Sequence, residues 1–220
     1  SESTLTQDEF LEKFSKVFQD HIKKISKKLK VSLENLILVA DCKRCDIWRN
    51  HVYPKYKQRE STIPCDIFPY VYDHIIPKLK DVQFIRIDHM EADDIAFILT
   101  RHLKNDITIV TNDNDYLQML NEKTKIVNLP SFNDISTRCQ NDPRVGLLTK
   151  VLCGDPSDTI PGIVSKTVAK TLILQTEAEI ETYMVRNGLK DKFDMNLTLI
   201  DMINIPDHLK ECVIECIEIC

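Results

Sequence analysis

QFIRIDHMEADDIAFILTRHLKNDITIVTNDND, residues 83–115, decides the fold, because it reads as a strand, a helix and a second strand in immediate succession. Gln83 to Ile87 and Ile107 to Thr111 are apolar runs of strand length, and residues 91–103 between them read as helical. Upstream, Leu36 to Ala40 (LILVA) is a continuous apolar run, as expected of a parallel strand buried on both faces. Before it, Phe10, Phe14, Val17, Phe18, Ile22, Ile25 and Leu29 recur at spacings of three and four, which predicts an amphipathic helix over 8–30 that covers a sheet. Helical stretches are expected at 65–79 and 114–121, with a fourth short strand at Lys125 to Asn128 and a polar loop from Ser131 to Arg144. Helices alternating with strands define an α/β domain with a doubly wound parallel sheet. From Leu147 onward no strand pattern persists, and Gly154, Pro156, Pro161 and Gly162 punctuate short helices. The expected division is an α/β core over 1–146 and a helical appendage over 147–220.

Composition excludes several classes. Hydrophobic residues make up 43% and charged residues 29% of the 220, ordinary for a globular protein, and no apolar run approaches the roughly 18 residues that span a bilayer. The opening SESTLTQDEF lacks the basic start and apolar middle of a secretory signal, so an intracellular location is expected and the eight cysteines read as thiols. A net charge of −5 argues against a protein that coats nucleic acid. Basicity is nevertheless local: Lys43, Arg44, Arg49, Lys55, Lys57 and Arg59 lie in one stretch with Asp46 as its single acid.

In an open parallel sheet, ligands bind where the strands' carboxyl ends face one crevice. Asp41 ends the first strand, Glu91, Asp93 and Asp94 open the helix after QFIRI, and Asp113 and Asp115 follow the third strand. Singly, such acids are helix caps or turn residues. Jointly they repel one another unless protons or cations neutralise them, which points to bound metal. All-oxygen ligands suit Mg²⁺ or Mn²⁺, and two such ions roughly 4 Å apart clamp a phosphate and activate water.

At these residues the chain resembles the 5′ nuclease family, which includes flap endonucleases and the exonuclease domain of bacterial DNA polymerase I. The motifs run in the family's order: VAD ending at Asp41, YKQR (Tyr56 to Arg59), EADD (Glu91 to Asp94), TNDND (Thr111 to Asp115) and GDPSDTIPGI (Gly154 to Ile163). The resemblance implies a PIN-like parallel sheet flanked by helices. It also implies a first metal on Asp41, Glu91 and Asp93 and a second on Asp113, Asp115 and Asp155, with Asp94 and Asp158 in support. It further implies a helix-hairpin-helix whose Gly162 amide region, with Lys166 and Lys170, meets duplex phosphates and can hold K⁺. The basic segment, about 43–64, corresponds to an arch over the site. There Lys57 and Arg59 act on the phosphate, and Lys43, Arg44, Arg49, Lys55 and Tyr56 face DNA. Trp48, Tyr53 and Tyr56 are read either as stacking surfaces for bases or as anchors in the core.

Three departures accompany the match. No acid before Asp41 corresponds to the family's first-strand aspartate. Arg59 follows Lys57 by two positions where three is usual, and Val164 and Ser165 stand where the hairpin has a second glycine. Cys42 and Cys45 form a C-x-x-C without a second pair to complete a zinc site, and Cys212, Cys216 and Cys220 share a helix face expected to pack against the domain or a partner surface that is cut away. The expected activity is metal-dependent 5′-3′ exonuclease or flap endonuclease action on DNA by a monomer with no membrane association. The alternatives are a noncatalytic DNA-binding module and a PIN-type ribonuclease.

Overall fold

A computed structural model of the chain describes residues 6–58, 67–136 and 143–218. In chain order the elements are α1 (Gln7–Leu29), β1 (Ile37–Val39), α2 (Arg49–Val52), α3 (Ile67–Tyr70), β2 (Gln83–Ile85), α4 (Ala92–His102), β3 (Ile107–Val110), β4 (Thr124–Val127), α5 (Pro143–Cys153), α6 (Lys166–Leu172), α7 (Glu177–Arg186), α8 (Lys190–Ile200) and α9 (Asp207–Glu218). The chain divides into two compact units, one of residues 1–39 and 60–85, the other of residues 40–59 and 86–220.

In the first unit, α1 starts at a capping box in which Thr6 and Glu9 satisfy each other's backbone amides, and it ends at Lys30 in the left-handed region, φ 56°. Its aromatic stripe stacks along the helix, with Phe10 and Phe14 ring centroids 6.4 Å apart and Phe14 and Phe18 6.2 Å apart. Ile22 is buried, but Phe10 and Val17 are exposed, so the helix covers less apolar surface than its periodicity predicts. β1 pairs in parallel with β2, Ile37 opposite Gln83.

In the second unit, β3 pairs in parallel with β4 from Ile107 opposite Thr124 to Val110 opposite Val127. Among the described residues the strands therefore form two parallel pairs rather than one continuous sheet; β1, β2 and β3 are one or two residues shorter than their expected runs, and β4 keeps its length but starts one residue earlier. The stretch expected as a helix at 114–121 is a tight 3₁₀ winding, Asn114–Met119, because the Asp113 side chain accepts from the Asp115 amide at 2.8 Å and closes a turn at its start.

After Pro143 the described chain is helical apart from short turns. Val151, Leu152, Leu172, Ile180, Met184 and Leu199 form its core, and Ile47 and Tyr56 pack into the same cluster. Each such side chain contributes about 1.5–3 kcal/mol on burial. Asn196 ties three segments together, its Nδ2 donating to Val151 O and Pro161 O at 2.9 Å each. Gly154 and Gly162 permit backbones to touch: a Cβ at Gly154 (φ +79°) falls 2.5 Å from Gly162 N, and one at Gly162 falls 2.6 Å from Cys153 O. On α9 the packed residues are Leu209 and Val213, and Cys212 and Cys216 are exposed, so of the two surfaces expected for that cysteine face the domain itself does not cover these two, while Cys220 lies outside the described residues. No helix among the described residues is long and apolar enough to cross a membrane.

Candidate metal centre

The N-terminus of α4 gathers the first acids. Glu91 caps the helix and Asp93 and Asp94 lie in its first turn, where negative charge is favoured by the free amides. The three carboxylates offer oxygens within 4.8 Å of one another. Glu91 is 3% and Asp94 0% exposed, so their charge demands partners. Arg49 supplies them. Its Nη2 donates to Asp94 Oδ1 at 2.7 Å, and its Nη1 donates to Asp94 Oδ2 at 2.8 Å and Glu91 Oε2 at 2.9 Å. Trp48 Nε1 donates to Asp94 Oδ2 at 3.0 Å and the Tyr56 hydroxyl to Glu91 Oε2 at 2.9 Å. Burial opposes the Arg49 charge, but Asp94 outweighs it and holds the guanidinium above its usual range.

Asp93 is held more lightly, its Oδ1 accepting from the Asp94 amide at 2.8 Å. The residue is half-buried, and burial of its carboxyl, with Glu91 and Asp94 alongside, pushes it up to about 8. A carboxyl in that state takes a proton or a cation.

A second set of acids converges through Asp155 and Asp158, on the turn after α5. Asp155 Oδ1 accepts from the Ser157 amide at 3.0 Å, and the backbones of Asp155 and Ile160 exchange both hydrogen bonds. Lys150, in the last turn of α5, donates its ammonium to Asp115 Oδ1 at 2.6 Å and Asp155 Oδ2 at 2.8 Å. Burial raises the Asp155 carboxyl, but the Lys150 and Ser157 bonds prevail and hold it below its ordinary value. Asp158 is raised, first by burial and then by Asp155 and Glu91.

Lys57 spans the two sets, 2.5 Å from Glu91 Oε1 and 3.6 Å from Asp158 Oδ1. Its backbone is left-handed, φ 50°, and is held by donation of its amide to Asp158 O at 3.0 Å. The Thr159 hydroxyl donates to Lys55 O, so the GDPSDT turn fixes where the YK pair lies. Burial disfavours the Lys57 charge, but Glu91 and Asp158 hold it above its usual range. Asp93, Asp115, Asp155 and Asp158 line one open cleft, walled on another side by Leu199, Ile200 and Met202.

Thus Glu91, Asp93 and Asp94 form one group, to which Lys57 joins Asp158, while Lys150 joins Asp115 to Asp155. Asp41 is exposed and accepts from the Ala92 amide at 2.7 Å, at the start of the same helix, whereas exposed Asp113 caps its own turn. Two sequence expectations are corrected. Arg49 and Tyr56, each 3% exposed, face the carboxylates rather than a DNA surface, because unpaired acids buried this deeply need their donors. Trp48 is likewise buried, so of the two readings of these aromatics the core anchor holds for both. Lys43, Arg44, Lys55, Gly162, Lys166 and Lys170 are exposed, and Arg59 lies outside the described residues. Lys150 was not singled out by the sequence reading: a lysine in a helix's last turn is ordinary, and only the close of α5 onto Asp115 and Asp155 gives it a role.

The donor set fits a hard divalent ion, being entirely carboxylate oxygen, with two ammonium groups each bridging acids from different segments where a cation is required.

Fold and site together define a mixed α/β protein of PIN-like fold with a cation-demanding acidic cleft. The family described as 5′-3′ exonuclease, N-terminal resolvase-like domain, matches residues 5–144, and the chain belongs to that family. It is 30% identical over 165 residues to a 5′-3′ exonuclease of Buchnera aphidicola subsp. Baizongia pistaciae, covering 70% of this chain and 54% of that protein. It is 27% identical over 194 residues to DNA polymerase I of Caldicellulosiruptor bescii, covering 77% of this chain and 22% of the polymerase. The chain spans about half the length of the 5′-3′ exonucleases it matches. In fold it is similar to a mutant of the T5 5′-exonuclease, with a TM-score of 0.65 at 17% identity covering 92% of each chain. It is also similar to a bacteriophage T5 flap endonuclease in a pseudo-enzyme-product complex with DNA and metal ions, with a TM-score of 0.61 at 17% identity covering 93% of this chain and 91% of that one.

Proposed function

We propose that this chain is the nuclease part of a metal-dependent 5′ nuclease, hydrolysing phosphodiester bonds of DNA near a 5′ end or at a flap junction. The observation that carries this reading is the pair of lysines standing between carboxylates: Lys57 between Glu91 and Asp158, and Lys150 between Asp115 and Asp155. Asp41, Glu91 and Asp93 would hold one ion and Asp113, Asp115 and Asp155 a second, with Asp158 alongside and Asp94 acting through Arg49. Divalent ions bound there supply a Lewis acid and an activated water.

The chain's own groups do the rest. Lys57, beside Glu91 and Asp158 at the edge of the acid cluster, would meet a phosphate oxygen and stabilise charge developing on it. Arg59 is assigned to the same phosphate from the YKQR motif. Exposed Lys43, Arg44 and Lys55 guide a single strand electrostatically. The helical region from 147 onward grips duplex through the backbone near Gly162 and through Lys166 and Lys170, with K⁺ at the hairpin as an accessory. These contacts go to phosphates, so base sequence should matter little.

A noncatalytic DNA-binding module is the second reading, favoured by the exposed Asp41 and Asp113, which serve local backbone amides. A PIN-type ribonuclease has no need of the GDPSDTIPGI turn. The test is Mg²⁺-dependent cleavage of a 5′-labelled flap duplex beside blunt duplex and single-stranded RNA, with the chain and its Asp93→Asn variant. Cleavage near the junction that the variant lacks supports the nuclease; flap binding without cleavage supports the module; cleavage of RNA alone overturns the DNA substrate.

A further inference from the structure

Arg49 is buried with four side-chain hydrogen bonds. Its guanidinium is 3% exposed, carries its charge at any working pH, and places three bonds on acids and a fourth, from Nε, on Leu199 O at 2.8 Å. The bidentate grip on Asp94 fixes the plane of the group. With the plane fixed, Nη1 also reaches Glu91 Oε2, which accepts from the Tyr56 hydroxyl as well. That leaves Glu91 Oε1 as the oxygen available to a cation, and the Lys57 ammonium occupies it here. Leu199 lies in the last turn of α8, where carbonyls have no partner within the helix, and its side chain walls the same cleft as Asp93 and Asp155.

We infer that Arg49 is a positioning residue for the metal centre, one that selects the Glu91 oxygen presented to the ion and keys that choice to the end of α8. The inference rests on the nuclease reading above. A purely structural counter-ion needs charge alone, which lysine also carries. The role assigned here needs the planar fork and the Nε–Leu199 bond, which lysine cannot reproduce.

The chain contains its own reporter. Trp48 is its single tryptophan, bonded to Asp94 and with its ring 4.5 Å from the Arg49 guanidinium carbon. Mn²⁺ affinity, measured by the signal of free Mn²⁺, and Trp48 emission during Mg²⁺ titration are compared for the wild type, Arg49→Lys, and Arg49→Met combined with Asp94→Asn. The double variant removes both charges of the bidentate pair, so that folding, followed by circular dichroism, is preserved. Both variants are expected to fold, to bind Mn²⁺ about 10- to 100-fold more weakly, and to lose the Mg²⁺-dependent change in Trp48 emission. Wild-type binding that either folded variant reproduces overturns the positioning role and leaves the metal centre standing. A wild type that binds no Mn²⁺ overturns the metal centre itself, and the positioning role with it.

Discussion

The Lys57 ammonium lies 2.5 Å from Glu91 Oε1, the one oxygen of that carboxylate that neither Arg49 nor Tyr56 holds. On the nuclease reading, this is the oxygen that would help hold an ion, and Lys57 would then serve the substrate phosphate instead. Lys57→Met is therefore expected to bind Mg²⁺ at least as tightly as the wild type, having lost the competing ammonium, while flap cleavage falls about 100- to 1,000-fold. Calorimetric titration and single-turnover cleavage separate the two effects. Equal losses of binding and cleavage would show that Lys57 only supports the fold.

Lys150 makes a different prediction, because it bridges Asp115 and Asp155 rather than meeting a lone oxygen. Removing it leaves two facing carboxylates that a cation, or in acid a proton, must reconcile. Lys150→Met should melt at lower temperature than the wild type without metal and gain more from Mg²⁺. Asp155 is held below its ordinary value, so its contribution is present above the usual carboxylate range and is lost as pH falls through the depressed value. The gap between variant and wild type should accordingly narrow in acid. Thermal melts across pH, with and without Mg²⁺, check both statements, and a gap that widens in acid contradicts the assignment.

The Asp93 carboxyl gives the opposite sign. Its folded value, pushed from 3.8 to about 8, exceeds the unfolded one, so the metal-free fold takes up a proton and loses stability as pH rises between those values. A divalent ion must expel that proton. Near neutral pH, Mg²⁺ binding is expected to release close to one proton, read as a dependence of binding heat on buffer ionisation enthalpy. Asp93→Asn should abolish the release and flatten the metal-free stability profile. Proton release unchanged in Asp93→Asn would move the shifted group elsewhere.

Much of this was legible in the chain. The strands at 37–39, 83–85, 107–110 and 124–127 fall on the runs read at 36–40, 83–87, 107–111 and 125–128, because mainly apolar stretches of that length have little other use, and Glu91, Asp93 and Asp94 read as a cluster because adjacent acids at a helix start must share its turn. The sequence overstated α1, whose period is evident but whose burial depends on what meets it. It also misplaced Arg49 and Tyr56. A basic, aromatic stretch looks alike whether it faces solvent or turns inward, and the choice is made by bonds to residues 35 to 45 positions away. Lys150 was invisible for the same reason: its partner Asp115 is 35 positions distant.

Gly154 and Gly162 let the GDPSDTIPGI turn fold back on the end of α5, and the turn in turn sets Lys57 through the Asp158 carbonyl and the Thr159 hydroxyl. A Cβ at Gly154 meets backbone atoms of Gly162 and Ile160 at 2.5 Å each, at a φ of +79° that side chains rarely adopt. Backbone cannot rotate aside as a side chain can, so Gly154→Ala should cost on the order of 2 kcal/mol or more. That corresponds to a fall in melting temperature of roughly 4–8 °C for a protein of this size. Because the hairpin moves with it, flap binding should weaken even in Ca²⁺, where cleavage does not interfere. Gly188→Ala is the control: its φ is also positive, +66°, but a Cβ there meets nothing within 4 Å. It should lose only the conformational part of the stability and bind the flap normally. If both alanines weaken binding equally, backbone strain alone accounts for the effect and the close approach of Gly154 to Gly162 does not set the DNA-facing turn.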